Sequence, residues 1–236
     1  ATPDAYSKHE PIVIETLHHL KSREALHASL YPTDETPADD PIALPYHFSS
    51  HILLWHTLRT LAKLDAPNLA QFDLLTWADE VHADINMYFQ VVQGNRIFYA
   101  YATDAQGNHH TYHDANDIPF AYAADWGFVD PDDPVWLSTI AFAWSAANVG
   151  GYYDGHLGSV HTPGAWPLGD IQRLIIAKSI GDSAMEAQAR ADIDFAAQWD
   201  GALPEAYDPK TGEVISRHWF AWPNAMMAII DAPQTI

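Results

Sequence analysis

The chain has 236 residues, 48% of them hydrophobic, enough for a substantial core and too apolar for a disordered segment. Its 11 Lys+Arg stand against 31 Asp+Glu, and the formal charge of −20 repels phosphate backbones and anionic lipid surfaces, so neither nucleic acid nor membrane is expected as a partner. There is no Cys, which excludes disulfide, zinc–thiolate and thiol-nucleophile chemistry. No apolar run approaches the ~20 residues of a membrane span, and Ala1 opens no signal-like segment, so the expectation is a soluble protein of undetermined compartment, cytoplasmic or processed from a secreted form.

In chain order, the first expected helix covers about Pro11 to Ser29. A second starts near Ser49 or Ser50, both good N-caps, and carries Ile52, Leu53, Trp55, Leu58, Leu61 and Leu64 at near-helical spacing. A third runs from about Asp73 to Val92 with Leu74, Trp77, Ala78, Val81, Ile85, Tyr88 and Phe89 on one face, and the two pair as an αα-hairpin. Between Arg96 and His113 the period shortens, and Ile97 to Tyr101, a turn at Asp104 to Asn108, and His109 to His113 read as a β-hairpin. Asp133-Pro134 caps a fourth main helix through Trp136, Ile140, Phe142 and Trp144. Three more follow at Trp166 to Ile180, Ser183 to Trp199 and Arg217 to Ile230, with Pro223 disturbing the first turn of the last. Seven helices with wide apolar faces suit a large helical bundle or barrel, read as one domain over residues 1–236.

Four segments carry chemistry. Asp34, Glu35, Asp39 and Asp40 crowd into seven positions before Tyr46-His47-Phe48. Like-charge repulsion in such a cluster raises the pKa of at least one carboxyl, as a general acid requires, although a solvated acidic turn explains the same residues. Tyr112-His113-Asp114-Ala115-Asn116-Asp117 sets an imidazole, two carboxylates and an amide in directions suited to hydroxyl recognition, or forms an Asx-rich turn. Gly158 to Pro167 presents His161, two hydroxyls and Trp166. Finally Glu205 precedes Arg217, His218, Trp219 and Trp222, a carboxylate a short loop away from flat aromatic faces of the kind that pack against sugars. Of the 14 His, the pairs His18-His19 and His109-His110 lack the i, i+4 spacing of helical metal ligands. His47 and His51 have it, but capping or core roles account for them, so no metal and no cofactor are expected. The lack of a Gly-x-Ser-x-Gly turn disfavours a Ser-His-Asp hydrolase.

Taken in order, these segments resemble glycoside hydrolase family 125, inverting exo-α-mannosidases with an (α/α)6 barrel. The resemblance rests on Asp39-Asp40 with Pro45 to Ser50, on Asp114-Ala115-Asn116 with Gly127-Phe128, on Gly158-Ser159 with His161-Thr162-Pro163 and Trp166-Pro167, and on Glu205 with Arg217, Trp219 to Trp222 and Asn224. It implies an all-α six-hairpin toroid, an oligosaccharide or glycan substrate, a general acid at Asp40 or its neighbour Asp39, and a general base at Glu205. Asp114, Asn116, His161, Trp166, Arg217, Trp219 and Trp222 would bind the sugar. The family's His-Glu-Ser-Phe is Pro204-Glu205-Ala206-Tyr207 here, and its Pro-Ser-Asn after the acid is Ser49-Ser50-His51, which leaves a glucoside or another hexoside as alternatives. A full barrel has twelve principal helices, so seven imply the C-terminal half to two-thirds of one, the remaining helices being absent or on another chain, or else a smaller variant with a partly open toroid. From a different class, a non-catalytic sugar-binding scaffold would need the aromatics and amides but no opposed carboxylates.

Overall fold

The structure is a computed structural model describing residues 3–38, 40–64 and 66–232; Asp39 lies outside the described residues. The chain forms two compact units, residues 1–111 and 112–236.

The first unit opens with α1 (Pro3–Ser22), which starts earlier than Pro11 and ends well before Ser29. Its end follows from local bonding: the Ser22 hydroxyl donates to His19 O, and Ala25 N turns to Leu30 O. Strand β1 (Tyr46–His47) leads directly into α2 (Phe48–Ala62), whose N-cap is His47, the ring Nδ1 accepting from Ser50 N. A 3-10 helix (Pro67–Phe72) and a left-handed Asp73 (φ 44°) connect to α3 (Leu74–Tyr88). Helices α2 and α3 pack together as the expected hairpin, burying Ile52, Trp55 and Leu58 from one and Trp77, Val81 and Ile85 from the other. Leu53 faces outward, 39% exposed.

The strands differ from expectation. Helix α3 stops at Tyr88, and β2 (Gln90–Gln93) pairs with β3 (Arg96–Tyr99) across the two-residue loop Gly94-Asn95. Gly94 holds φ 63°, as the first position of a type II′ turn requires, and the adjacent Val91-Val92 favour extended backbone over another helical turn. Strand β4 (Ala102–Thr103) then pairs with β5 (His109–His110) and with β1, so the single hairpin read between 96 and 113 is two pairings in different sheets. The Asp104 carboxylate closes the intervening turn by accepting from Gln106 N and Asn108 N.

The second unit contains α4 (Ile118–Ala121), α5 (Pro134–Ala143), α6 (Pro167–Ile180), α7 (Ser183–Ala196) and α8 (Ala221–Ile230). Asp133 caps α5 as expected, accepting from Val135 N and Trp136 N. Helices α6 and α7 form a second hairpin around left-handed Gly181 and the N-cap Asp182. Every residue of α6 from Pro167 to Gln172 is buried, and Asp170 and Gln172 carry polar groups into that interior. Two small hairpins, β6 (Tyr152–Tyr153) with β7 (His156–Leu157) and β8 (Ala206–Tyr207) with β9 (Val214–Ser216), flank the loops of interest. Helix α8 begins at Ala221, four residues later than expected, which puts Pro223 in its first turn, where a backbone N–H has no intrahelical partner to lose. No described helix is long and apolar enough to cross a membrane.

Candidate active site

Glu205 is fixed from both sides by backbone. Its N–H donates to Ser216 O and Arg217 O, while Tyr207, two residues on, exchanges bonds with Ala165 (N to O 2.8 Å, and 3.1 Å in return). Two residues earlier, the Asn224 side chain from the first turn of α8 accepts from Leu203 N at 3.1 Å and donates to Leu203 O at 2.9 Å. A loop carrying a carboxylate is thereby held as firmly as a strand.

Glu205 is 6% exposed. The Ser216 hydroxyl donates to Oε2 at 2.6 Å, and Arg217 Nη1 lies 3.1 Å from Oε1. Arg217 adopts φ 47°, a left-handed conformation uncommon outside Gly and Asn, and its guanidinium also lies 5.6 Å from the Phe220 ring centroid. That backbone turn carries the chain from β9 toward α8 and leaves the Arg217 side chain largely in solvent. Trp219 is 59% exposed and Trp222 half-buried, whereas Trp166 is enclosed, its indole N–H donating to Thr162 O and its ring edge-on to Phe220. Trp166 thus has its apolar face covered by protein, unlike the open ring expected of a sugar platform. Of the helical tryptophans, Trp55 and Trp77 are buried as expected and Trp144 is half-buried.

The second expected cluster forms around Asp114, which is 1% exposed. Tyr112 and Ser159 donate their hydroxyls to Oδ2 at 2.6 and 2.9 Å, and Asn116 N donates to Oδ1. Burial, and then the neighbouring Asp117, push its pKa up to about 6 against those donors. With three protein donors and almost no solvent access, this carboxylate organises the segment; it is not presented outward to bind hydroxyls, as the sequence suggested. Asn116 is half-buried beside it, and exposed His161 is tethered through its backbone N–H to the same Ser159 hydroxyl. Ala115 N donates to Gly158 O, Gly158 bridges Ala165, and Ala165 bridges Tyr207. One backbone ladder therefore joins the Asp114, His161 and Glu205 segments.

In the first unit, Asp40 is partly buried at the end of a turn in which the Thr36 hydroxyl accepts from Ala38 N and Asp40 N, and Thr36 N donates to Asp40 O. His51 is buried with Nδ1 on His47 O and Nε2 accepting from Tyr31 N; burial pulls its pKa down to about 4 and keeps it neutral.

Sequence reasoning missed the supports. Ser216, Asn148 and Gln172 are polar side chains set in ordinary-looking stretches, whereas Ser159 lies in the Gly158–Pro167 segment that the sequence already marked. Asn148 brackets His113 by accepting from its N–H and donating to its C=O, and Gln172 donates to Asp114 O and Ala115 O. The one available signal was a buried amide interrupting the apolar run of α6. Behind β8, His156, Asp170 and Asp192 bring ligand-type atoms within 4.8 Å of one another, the one such group of three among the described residues. Protein groups already engage them: His156 Nδ1 and the Tyr207 hydroxyl contact Asp170 at 2.9 and 2.7 Å, and Arg173 pairs with Asp192. Burial lowers the His156 pKa, but the Asp170 carboxylate outweighs it and leaves the imidazole above its ordinary value, while burial raises Asp170.

The family model for metal-independent alpha-mannosidases, glycoside hydrolase family 125, matches residues 5–230. The chain belongs to this family. It is 26% identical over 215 residues to the meiotically up-regulated gene 157 protein of Schizosaccharomyces pombe, covering 85% of this chain and 41% of that one. A metal-independent alpha mannosidase of Streptococcus pneumoniae, solved in a non-productive complex with alpha-1,6-mannobiose, superposes with a TM-score of 0.72 at 23% identity, covering 88% of this chain and 51% of that one. A glycosidase variant in complex with glucose gives 0.60 at 22% identity, with 84% and 54% covered. The fold of this family 125 chain is that of the six-hairpin glycosidases, and the chain spans about half the length of these relatives.

Proposed function

We propose that this family 125 chain carries the acid and base segments of an inverting exo-glycosidase that removes terminal α-linked mannose from oligosaccharides or glycans. Asp40, with Asp39 as the alternative, donates its carboxyl proton to the glycosidic oxygen as the C–O bond breaks. Glu205 takes a proton from a water attacking the anomeric carbon from the opposite face, and no covalent intermediate forms. Asn116, His161 and Arg217 recognise hydroxyls, and Trp219 and Trp222 offer faces for the sugar ring. Asp114 and Trp166 shape these loops from within.

The observation that supports this best is the seating of Glu205, buried and donor-bound at both oxygens beside an exposed Trp and Arg. Such a carboxylate is pre-oriented, which a base must be and a solvated surface Glu is not. The description of the family as alpha-mannosidases, together with the alpha-1,6-mannobiose complex of the streptococcal relative, supports mannose as the sugar. Incubation with a panel of aryl α- and β-glycosides and short mannosides tests the reading: release from α-mannosides alone supports it, and turnover restricted to glucosides redirects it to another hexose.

A further inference from the structure

A cleft of about 420 Å³ lies in the same unit as Glu205, at the far end of the β8–β9 hairpin from it. It is lined by Tyr152 and Tyr153 of β6, by Asp154, and by Asp208, Pro209 and Ile215 of the hairpin. Tyr153 is anchored, its one hydroxyl proton shared between Gly150 O and Ser159 O, each 3.0 Å away, so its ring is a fixed wall. Tyr152 is half-buried, and its hydroxyl has no hydrogen-bond partner among the described residues. Asp154 sits at φ 48°, a strained conformation for a residue with a side chain, and Lys210 reaches across to it at 2.8 Å. Asp208 accepts from Lys210 N and Thr211 N, which fixes the turn that forms the other wall.

We propose that this cleft is a distal sugar subsite, holding a neutral hexose unit of an oligosaccharide whose terminal unit is at Glu205. The proposal rests on the glycosidase reading and adds a determinant of chain length to it. Size fits, since pockets for small ligands start at roughly 300 Å³. Tyrosine, proline and isoleucine surfaces match the C–H face of a sugar, and carboxylates with an ammonium group match its hydroxyls as acceptors and donors. The chain's charge of −20 and the two carboxylates in the cleft argue against an anionic occupant. Three residues of extended chain separate Glu205 from Asp208, about 10 Å at ~3.3 Å per residue, a reach suited to further units of the same oligosaccharide.

The test compares kcat/KM for an aryl α-mannoside, a mannobiose and a linear mannotetraose in the native chain, in Tyr152→Ala and in Asp154→Gly. Glycine accepts the left-handed backbone at 154, so the second variant remains informative if the first is poorly folded. The native chain should favour the tetraose by about tenfold, about 1.4 kcal/mol. Both variants should lose that preference while aryl mannoside turnover stays unchanged. Retention of the preference, or an equal loss on all three substrates, overturns the subsite. Failure of the native chain on every substrate would count against the glycosidase reading instead. The subsite then stands or falls on NMR titration of the chain with mannotetraose: shifts at Tyr152 and Ile215 that vanish in Tyr152→Ala support it, and their absence overturns it.

Discussion

Ser216 and Arg217 hold different oxygens of Glu205, and their substitutions should separate orientation from charge. Removing the carboxylate in Glu205→Gln should lower kcat by about 10²–10⁴-fold while leaving sugar affinity nearly intact, because base catalysis acts in the transition state. Ser216→Ala removes one hydrogen bond to a charged acceptor, worth about 1.5–3 kcal/mol where fully formed, so kcat should fall by about 10–100-fold with little change in KM. Equal losses in binding and turnover would show that either residue merely supports the fold. Asp114 makes a different prediction. Its folded pKa of about 6 lies above the unfolded value near 3.9, so the folded state binds the proton more tightly. Stability from this group is present at low pH, declines as pH rises from about 4 to about 6, and the decline amounts to about 3 kcal/mol. Denaturant titrations across that range should show the native chain losing stability relative to Asp114→Asn as pH rises, the difference isolating this group from others that titrate in the same window. His51 works with the opposite sign: its depressed pKa contributes stability above its unfolded value near 6.5, lost as pH falls toward about 4.

The loop from Gly158 to Trp166 is the element that joins the Asp114 segment to the Glu205 segment, and it tolerates no bulk. A Cβ on Gly158 would lie 1.9 Å from Gly164 O and 2.7 Å from the Tyr153 ring. Gly158→Ala should therefore cost about 1–3 kcal/mol of stability, read as a lowered denaturation midpoint, with kcat impaired in the remaining folded protein. Asn224→Ala should loosen Leu203 and, through it, Glu205, lowering kcat more than it lowers the midpoint. Helix faces were legible in the sequence because apolar spacing records them directly, as in the Ile52–Leu61 and Trp77–Ile85 stripes of the α2–α3 hairpin. The strands were less so. Val91 and Val92 continue an apolar pattern that fits helix or strand, and Gly94 decides between them only once its left-handed φ is known. The late start of α8 reflects the left-handed Arg217, which no spacing argument detects.

At the scale of the whole molecule, Asp40 lies in the first compact unit, residues 1–111, and Glu205 in the second, residues 112–236. Both positions fall within the residues 5–230 matched by the family model. Motif order carried the family, while the burial of Asp114 and Trp166 was hidden because a polar or aromatic loop residue reads alike whether it faces ligand or core. The supports at Ser216, Asn148 and Gln172 were hidden for a related reason: single hydroxyls and amides have no periodicity, and only tertiary contacts reveal them. A base role for Glu205 in a single displacement fixes which anomer is released first. Following hydrolysis of an aryl α-mannoside by ¹H NMR from the first turnovers tests it most directly. β-Mannose should appear first and then mutarotate, and Glu205→Gln should slow its appearance by about 10²–10⁴-fold; α-mannose as the first product, or undiminished turnover in Glu205→Gln, would rule out Glu205 as the base of a single displacement.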